Sequence, residues 1–423
     1  NRTGKAVTDS ANYRYDGYDG MTAPEQGVPD GEPLYLYVTE SGGKPSADQL
    51  RTGSGIKHNS ELMMALGADY DDPQWNRLLS QMTADDLSTL IELGGYRTHL
   101  IESIGKKYLY ENDGPAGLNR HIMENDTNEG QNIDRSGWTT FPMPSVIAAT
   151  FNSNMSYAFG LSVANEGIAT GVTGWYAPGA NLQRSPFCGR NSEYYSEDAL
   201  LSGVMAAESA RGAIANGMNV YIKHFAVNET ETNRTGLKTW LTEQSLRELY
   251  LRPFEISVKR GGANGMMSSF NRLGNIWTGA HHALMTEVLR DEWGFRGAVV
   301  TDYYAGGLMN LERGLLAGND LWLTGAGNKV GGFNSSDPAF MYAARQAAHN
   351  ILYAHCNSYY VSQTHDKSQD VIVSDVNTIQ EIEQPFPAWI FIPIGLDIVT
   401  VAGISVWTVF LLKKSGKANK EGA

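Results

Sequence analysis

The sequence contains few cysteines for a chain of this length. Only Cys188 and Cys356 occur among 423 residues. Neither their number nor their spacing indicates a zinc site or a disulfide framework. We expect both to be free thiols, because cysteine is often a small buried residue. No metal and no cofactor are expected. His281 and His282 are adjacent on a predicted helix, so they point to different faces, and no third ligand is evident.

Positive charge is also scarce. The chain has 33 Lys and Arg against 46 Asp and Glu, a net charge of −13. Such a surface repels phosphate backbones, so nucleic acid is not an expected partner. Apolar residues make up 42% of the chain, which is enough for a large core and excludes a disordered protein. The chain starts at Asn1 without a signal peptide, and we expect the natural protein to begin earlier.

Long apolar runs are absent with one exception, at 388–412. Roughly 20 apolar residues span a bilayer as a helix, and Trp389 and Trp407 lie near the two ends, as interfacial aromatic residues do. Basic residues follow the run and acidic residues precede it. The positive-inside rule therefore predicts a single-pass anchor with 413–423 as a cytoplasmic tail and the preceding chain outside a bacterial cell.

Asp397 within this run argues against the anchor. A carboxylate at mid-span costs about 2.5–3.5 kcal/mol on insertion scales, which the other apolar residues can offset. The alternative is a buried hairpin of a soluble domain.

The remaining chain divides by composition. Residues 1–71 contain one strand-like run, Leu34–Val38, and resemble the end of a β-rich domain with a linker. Strand-length apolar runs alternate with helical patterns over 72–360, which predicts a parallel sheet of (β/α)8 barrel size. Residues 361–387 form a polar stalk. The predicted strands are Gly174–Ala177, Asn219–Phe225, Gly265–Ser269 and Ala298–Thr301. The predicted helices are Ala84–Leu93, Asn152–Thr170, Ser196–Ala215, Thr242–Lys259, Ala280–Glu292, Leu308–Ala317 and Phe340–Asn357.

Polar side chains follow several of these strands, where active sites of such barrels lie. Lys223 and His224 end one strand, and Asp302 directly follows another. A carboxylate at this position can attack an anomeric carbon, since retaining glycosidases use two carboxyl groups about 5–5.5 Å apart. Asp113 and Arg184 reach the same edge from loops. The alternative role for Asp302 is to cap the following helix.

Five motifs together resemble glycoside hydrolase family 3. They occur in the family's order over roughly 72–360. The motifs are NDGPAGLN at 112–119, NLQRSPFCGRNSEYYSED at 181–198, KHF at 223–225 with Asn228 and Glu231, MMSSFNRLG at 266–274, and LRDEWGFRGAVVTDY at 289–303. The approach at 70–87 is similar to that of circularly permuted members, in which a second catalytic domain and a fibronectin-type sandwich precede the barrel.

The resemblance implies a β-glucosidase-like, retaining exo-hydrolase of terminal β-linked sugars. It implies that Asp302 is the nucleophile and that Asp113, Arg184, Lys223 and His224 bind sugar hydroxyl groups, with Phe270 and Tyr303 beside them. The family usually has Tyr at position 270 and Trp at positions 188 and 303. Phe270 therefore removes a hydroxyl near the nucleophile. From their positions, Arg190, Glu193, Asn228, Glu231 and Arg234 are expected to hold loops.

The resemblance also implies that the proton donor lies outside this chain. In the family's β-glucosidases it is a glutamate on a second domain, which we expect upstream. In its N-acetylglucosaminidases it is a histidine on the loop after KHF, and this loop, at 226–234, has no histidine. The alternative is a membrane-tethered carbohydrate-binding barrel without catalysis, which the missing donor favours and the positioned Asp302 disfavours.

Overall fold

A computed structural model describes residues 66, 69–119, 137–325 and 328–359. The predicted stalk, anchor and tail, and nearly all of the predicted β-rich remnant, lie outside the described residues. Across the described residues, no helix combines the length and apolar character that a membrane crossing requires.

The described chain alternates strands and helices, as the sequence predicts. The α-helices are α1 (Gln74–Leu79), α2 (Ala84–Glu92), α3 (Pro144–Ala149), α4 (Ser153–Thr170), α5 (Ala199–Ala215), α6 (Arg252–Lys259), α7 (Leu311–Ala317) and α8 (Pro338–Cys356), with a single turn at Glu243–Ser245. The strands are β1 (Arg97–Thr98), β2 (Leu109–Asp113), β3 (Val172–Tyr176), β4 (Asn219–Phe225), β5 (Lys238–Thr239), β6 (Gly265–Ser268), β7 (Arg272–Leu273), β8 (Ile276–Trp277) and β9 (Ala298–Thr301). Two π-helices occur at Leu246–Tyr250 and Ala283–Glu292. Short 3₁₀ turns occur at Glu102–Ile104, Asn191–Glu193, Thr278–Ala280 and Gly306–Met309.

Among the described residues, six strands form the main sheet in the order β1-β2-β3-β4-β6-β9. β1 is antiparallel to β2, and the other neighbouring strands are parallel. The strands β3, β4, β6 and β9 are buried along their whole length, as expected of a parallel sheet covered on both faces. The strands β5, β7 and β8, which occur between β4 and β9 in the sequence, form a separate small sheet in the order β5-β7-β8.

Backbone hydrogen bonds continue from β9 beyond the sheet. The Thr301 amide donates to the Leu321 carbonyl at 2.8 Å, and the Trp322 amide donates to the Ile91 carbonyl at 2.9 Å. The Glu111 amide of β2 in turn donates to the Tyr96 carbonyl at 2.8 Å. The main sheet is therefore curled, and segments 91–96 and 321–323 contribute to its continuation between β9 and β2.

Helix starts follow local capping. Thr83 and Asp86 form a reciprocal capping box at α2, which satisfies two backbone donors at the helix start. Thr242 caps the turn that follows it, as the sequence predicts. The predicted start of α5 at Ser196 is wrong. Asp198 is the N-cap and accepts from the Leu201 amide at 2.6 Å, so the acidic residue lies before the helix.

The predicted helix Thr242–Lys259 is also wrong as a single α-helix. It consists of the turn Glu243–Ser245, the π-helix Leu246–Tyr250 and α6. Pro253 has no amide hydrogen and cannot continue an α-helical hydrogen-bond ladder. The Leu251 amide instead bonds the Leu246 carbonyl at 2.8 Å, which is a π-type bond.

Candidate active site

Strand β4 carries the cationic part of the site. Its seven residues are all buried, which places Lys223 and His224 at its carboxyl end with 1% exposure each. The Lys223 ammonium donates to Asp113 Oδ1 and lies 3.8 Å from Glu193 Oε2. Asp113 ends β2, so two strand ends meet in one ion pair. A fully buried ammonium requires such partners.

Asp302 directly follows β9 and has one unengaged oxygen. Its Oδ1 accepts from the Tyr303 amide at 2.7 Å. Its Oδ2 is buried and has no hydrogen-bond partner among the described residues. His224 Nε2 lies 3.7 Å from Oδ2. The alternative role as a helix cap is excluded, because Asn310 caps α7 and accepts from the Arg313 amide.

Two opposing effects set the ionisation of Asp302. Burial raises the pKa of this carboxyl to about 6, and Arg190, the Tyr303 amide, Lys223 and Arg234 act in the lowering direction. Burial also lowers the pKa of His224 well below its usual value, with Arg190 and Lys223 acting in the same direction. At neutral pH the site therefore holds an ionised Asp302 beside a neutral imidazole.

Arg190 and Arg234 act on the charge of Asp302 and are held by a chain of ion pairs with two glutamates. Arg190 Nη2 lies 2.7 Å from Glu193 Oε2, and Arg190 Nη1 lies 4.0 Å from Glu231 Oε1. Arg234 Nη1 lies 2.8 Å from Glu231 Oε2. These contacts confirm the loop-holding role predicted for the four residues. The sequence analysis missed their second role, which is the field of Arg190 and Arg234 at Asp302. The available signal was that Arg190 lies in the same loop as Arg184 and that Arg234 lies in the loop after the KHF motif.

A buried network holds the His224 main chain and ring. Asn181 Oδ1 accepts from the His224 amide at 2.7 Å, and Asn181 Nδ2 donates to the His224 carbonyl at 3.1 Å. Glu229 Oε1 lies 3.2 Å from the same Nδ2. The Tyr194 hydroxyl lies 3.3 Å from His224 Nδ1. Sequence reasoning did not single out Asn181 or Tyr194 for this role, because only the folded chain brings them to β4.

The structure brings most of the predicted site residues together. Asp302, His224, Lys223 and Asp113 form one connected group through the contacts described above. Phe270 joins it indirectly, since its ring lies 4.4 Å beneath the Arg234 guanidinium. Two predicted residues lie further out. Tyr303 is about half exposed. Arg184 is exposed, and its Nη2 is 3.5 Å from the Thr230 hydroxyl.

Within the part of the chain that the structure describes, no group of three or more His, Cys, Asp or Glu residues is arranged to hold a metal ion. Cys188 and Cys356 are buried thiols that are not joined in a disulfide, as predicted. The groups that the site presents are carboxylates, an ammonium, guanidinium groups and a neutral imidazole.

The described chain is a parallel α/β domain with a carboxylate and cations at the carboxyl ends of its strands, which is the edge where enzymes of this architecture have their active sites. The chain belongs to glycosyl hydrolase family 3: residues 107–318 match the model of the family's N-terminal domain. It is thus a glycoside hydrolase domain, as predicted.

The chain is also similar in sequence to individual β-glucosidases. β-Glucosidase A of Butyrivibrio fibrisolvens is 40% identical over 183 residues, which is 43% of this chain and 22% of that protein. Thermostable β-glucosidase B of Acetivibrio thermocellus is 34% identical over 246 residues, 58% of this chain and 32% of that protein. The chain therefore spans less than a third of these relatives.

A solved structure supports the fold. β-Glucosidase 3B of Thermotoga neapolitana, in complex with glucose, aligns with a TM-score of 0.60 and 32% sequence identity. The alignment covers 69% of this chain and 43% of that one.

Proposed function

We propose that this chain is the barrel domain of a retaining, exo-acting β-glycosidase in which Asp302 is the nucleophile. One observation carries the proposal: Asp302 Oδ2 is buried at the end of β9 with no hydrogen-bond partner among the described residues, 3.7 Å from His224. An unengaged carboxylate oxygen is costly to bury. Such a cost is expected where the oxygen must remain available for a reacting carbon.

The chemistry follows from the neighbouring groups. Asp302 Oδ2 attacks C1 of the sugar, a new C1–O bond forms, and the bond to the leaving oxygen breaks. Water then attacks C1 and the carboxylate departs, so the configuration is retained. Asp113 accepts hydrogen bonds from sugar hydroxyls, Lys223 donates them, and neutral His224 does either. These charged contacts can strengthen as positive charge develops on the sugar ring.

The proposed substrate is a terminal β-linked glucose or a similar sugar. β-Glucosidases among the relatives support glucose. An exo-α-(1→6)-L-arabinopyranosidase of Bifidobacterium longum is also 34% identical over 229 residues, 30% of that protein. The class of small terminal pyranoses is therefore better supported than glucose alone.

The proposed domain organisation extends the described fold. The hydrogen bonds from β9 through 321–323 to 91–96 support a closed (β/α)8 barrel over 72–360. We propose that the natural protein is circularly permuted, with the sandwich remnant at 1–71 and a second catalytic domain upstream that donates the proton. Glu193 and Glu231 are each ion-paired with an arginine, so neither is positioned as a free acid. The stalk at 361–387 and the anchor at 388–412 would hold the barrel outside a bacterial cell.

The second candidate is a non-catalytic carbohydrate-binding barrel tethered to the membrane. The engagement of both neighbouring glutamates by arginines favours it, because a binding module needs no proton donor. The two candidates differ in whether Asp302 forms a bond to the sugar.

Asp302→Ala tests the proposal. With 2,4-dinitrophenyl β-glucoside, whose leaving group needs no protonation, kcat should fall about 1,000-fold or more. Asp291→Ala, an exposed acid, is the matched control and should retain full activity. Added azide should restore turnover in Asp302→Ala and give the α-glycosyl azide. Unchanged turnover in Asp302→Ala would remove this residue from the mechanism. An inactive wild-type chain that still binds the sugar would favour the binding module.

A further inference from the structure

A second cavity lies between the start of α1, with the residues just before it, and one face of α8. Its volume is about 250 Å³, and its wall includes Tyr70, Asp72, Trp75, Arg345, Gln346 and His349. Ligand pockets usually measure about 300–1,000 Å³. This cavity therefore suits one small ring and not an oligosaccharide.

The cavity is distant from Asp302 along the sheet. The Tyr70 hydroxyl donates to Asn350 Oδ1 at 2.6 Å, and Asn350 Nδ2 donates to Asp320 Oδ1 at 2.9 Å. Asp320 Oδ2 accepts from the Val299 amide at 2.7 Å. Val299 lies near the amino end of β9, whereas Asp302 follows its carboxyl end. The cavity wall is thus anchored to the opposite end of the sheet, and the proposed nucleophile plays no part in it.

The cavity wall contains a buried polar atom, His349 Nε2, that lacks a hydrogen-bond partner among the described residues. His349 is more than nine-tenths buried. Its ring stacks on Tyr70 at 4.2 Å and lies 4.7 Å from Trp75, centroid to centroid, so its orientation is set by packing. Burial lowers the pKa of His349 to about 4. The ring is therefore neutral and can donate or accept one hydrogen bond.

The charged side chains in the cavity wall indicate the net charge of the ligand that the cavity can hold. Arg345 is buried at 3% exposure, and Asp71 and Asp72 also line the cavity, Asp71 being exposed and Asp72 half-buried. The two carboxylates disfavour an anion, and the guanidinium disfavours a cation. Gln346 and Asn76 add amide donors and acceptors. A neutral ligand whose groups both donate and accept hydrogen bonds matches this wall, and sugar hydroxyls have that property.

We propose that this cavity is a second carbohydrate-binding site, which holds one neutral pyranose ring away from Asp302. The site does not depend on the proposed catalytic mechanism. It would allow the domain to bind a carbohydrate surface or a product sugar while Asp302 acts elsewhere.

The test uses the 423-residue chain with methyl β-D-glucopyranoside, measured by calorimetry and by saturation-transfer NMR. Lys223→Met removes a group of the first site, so the binding that survives in this variant reports the cavity. In that background, Arg345→Met and Gln346→Ala should each weaken the surviving binding about tenfold or more. Arg252→Met, an exposed arginine of α6, is the matched control and should leave it unchanged.

Two results would overturn the proposal. One is that no binding survives in Lys223→Met, in which case the cavity holds only water. The other is that inorganic phosphate, and not the glucoside, binds in an Arg345-dependent manner, which would make the cavity an anion site. Because Gln346 is exposed, Gln346→Ala keeps the test valid if Arg345→Met does not fold. When Arg345→Met and Gln346→Ala are made singly, with Lys223 intact, their activity on the dinitrophenyl glucoside should equal that of the wild type, so failure of this proposal is distinguishable from failure of the Asp302 mechanism.

Discussion

Asp302 owes its proposed reactivity to the balance between burial and neighbouring cations. Burial raises the pKa of its carboxyl to about 6, and Arg190 is the first of the groups that lower it. Without these cations the pKa of the carboxyl would be higher, and less of it would be in the ionised form that attacks carbon. With stronger pairing it would be a poorer nucleophile. The arginines lower the pKa of Asp302 through their charge and not through a direct hydrogen bond, because their hydrogen bonds go to Glu193 and Glu231.

The pH dependence of activity should reflect this balance. A protonated Asp302 is inactive, so kcat/KM for the dinitrophenyl glucoside should rise with pH through an apparent pKa near 6. Arg190→Met removes a charge that favours the ionised form, so the acidic limb should move to higher pH by about one unit. Arg184→Met, an exposed arginine of the same loop, is the control and should leave the limb in place. An unshifted limb in Arg190→Met would contradict the electrostatic role of Arg190.

Asn181 should act on catalysis by positioning His224. Asn181→Ala removes both hydrogen bonds to the His224 main chain. The loss of two buried partners should lower the free energy of unfolding by about 1–3 kcal/mol. The kcat should fall more than the KM changes, because a misplaced imidazole affects the reacting geometry. Asn154→Ala, an exposed residue of α4, should change neither quantity. A loss of stability with unchanged kcat would leave Asn181 a purely structural residue.

At the scale of elements, close packing of α4 on α5 supports one side of the sheet. A Cβ at Gly160 would lie 1.9 Å from the Ser209 carbonyl oxygen, and a Cβ at Gly212 would lie 2.1 Å from the Tyr157 carbonyl oxygen. Ser156 Oγ donates to the Met205 carbonyl at 2.7 Å across the same contact. The two backbones therefore approach as closely as glycine allows, and α5 leads directly into β4 with its Lys223 and His224.

Gly160→Ala should destabilise the protein. Alanine favours a helix over glycine by about 1 kcal/mol, but the clash with a main-chain oxygen requires the helices to separate, and overpacking of this kind costs about 1–3 kcal/mol. We expect a lower midpoint of urea unfolding. Gly189→Ala is the control, since its Cβ meets no atom within 4 Å. An equal or higher midpoint for Gly160→Ala would mean that the helices separate at little cost.

At the scale of the whole molecule, this chain matches only part of its relatives, and the anchor at 388–412 is the main prediction about its location. A chain that ends at residue 387 should move from the membrane fraction to the supernatant, because the 25-residue apolar run is removed. A chain that ends at residue 412 keeps the run and should stay with the membrane. Fractionation after an alkaline wash measures both. A chain without 388–423 that remains in the membrane would rule out this segment as the anchor.

The order of strands and helices was predictable from local pattern. The runs at Asn219–Phe225 and Ala298–Thr301 match β4 and β9 in full, because a strand buried on both faces is a continuous apolar run. Local pattern failed where two signals competed. Pro253 interrupts the predicted helix Thr242–Lys259. Asp198, and not Ser196, is the N-cap of α5.

The residues of the candidate site divide in the same way. Asp302, Lys223, His224 and Asp113 were predictable, since each stands at the end of a strand and parallel strands bring their ends together. Other features depend on residues far apart in the chain. They are the hydrogen bonds of Asn181 to His224, the field of Arg190 at Asp302, and the burial of His349 Nε2 without a hydrogen-bond partner among the described residues. Local sequence determines which backbone segment becomes a strand or a helix, but distances between loops depend on how all the elements pack, and this packing sets the charge and the hydrogen bonds of each site.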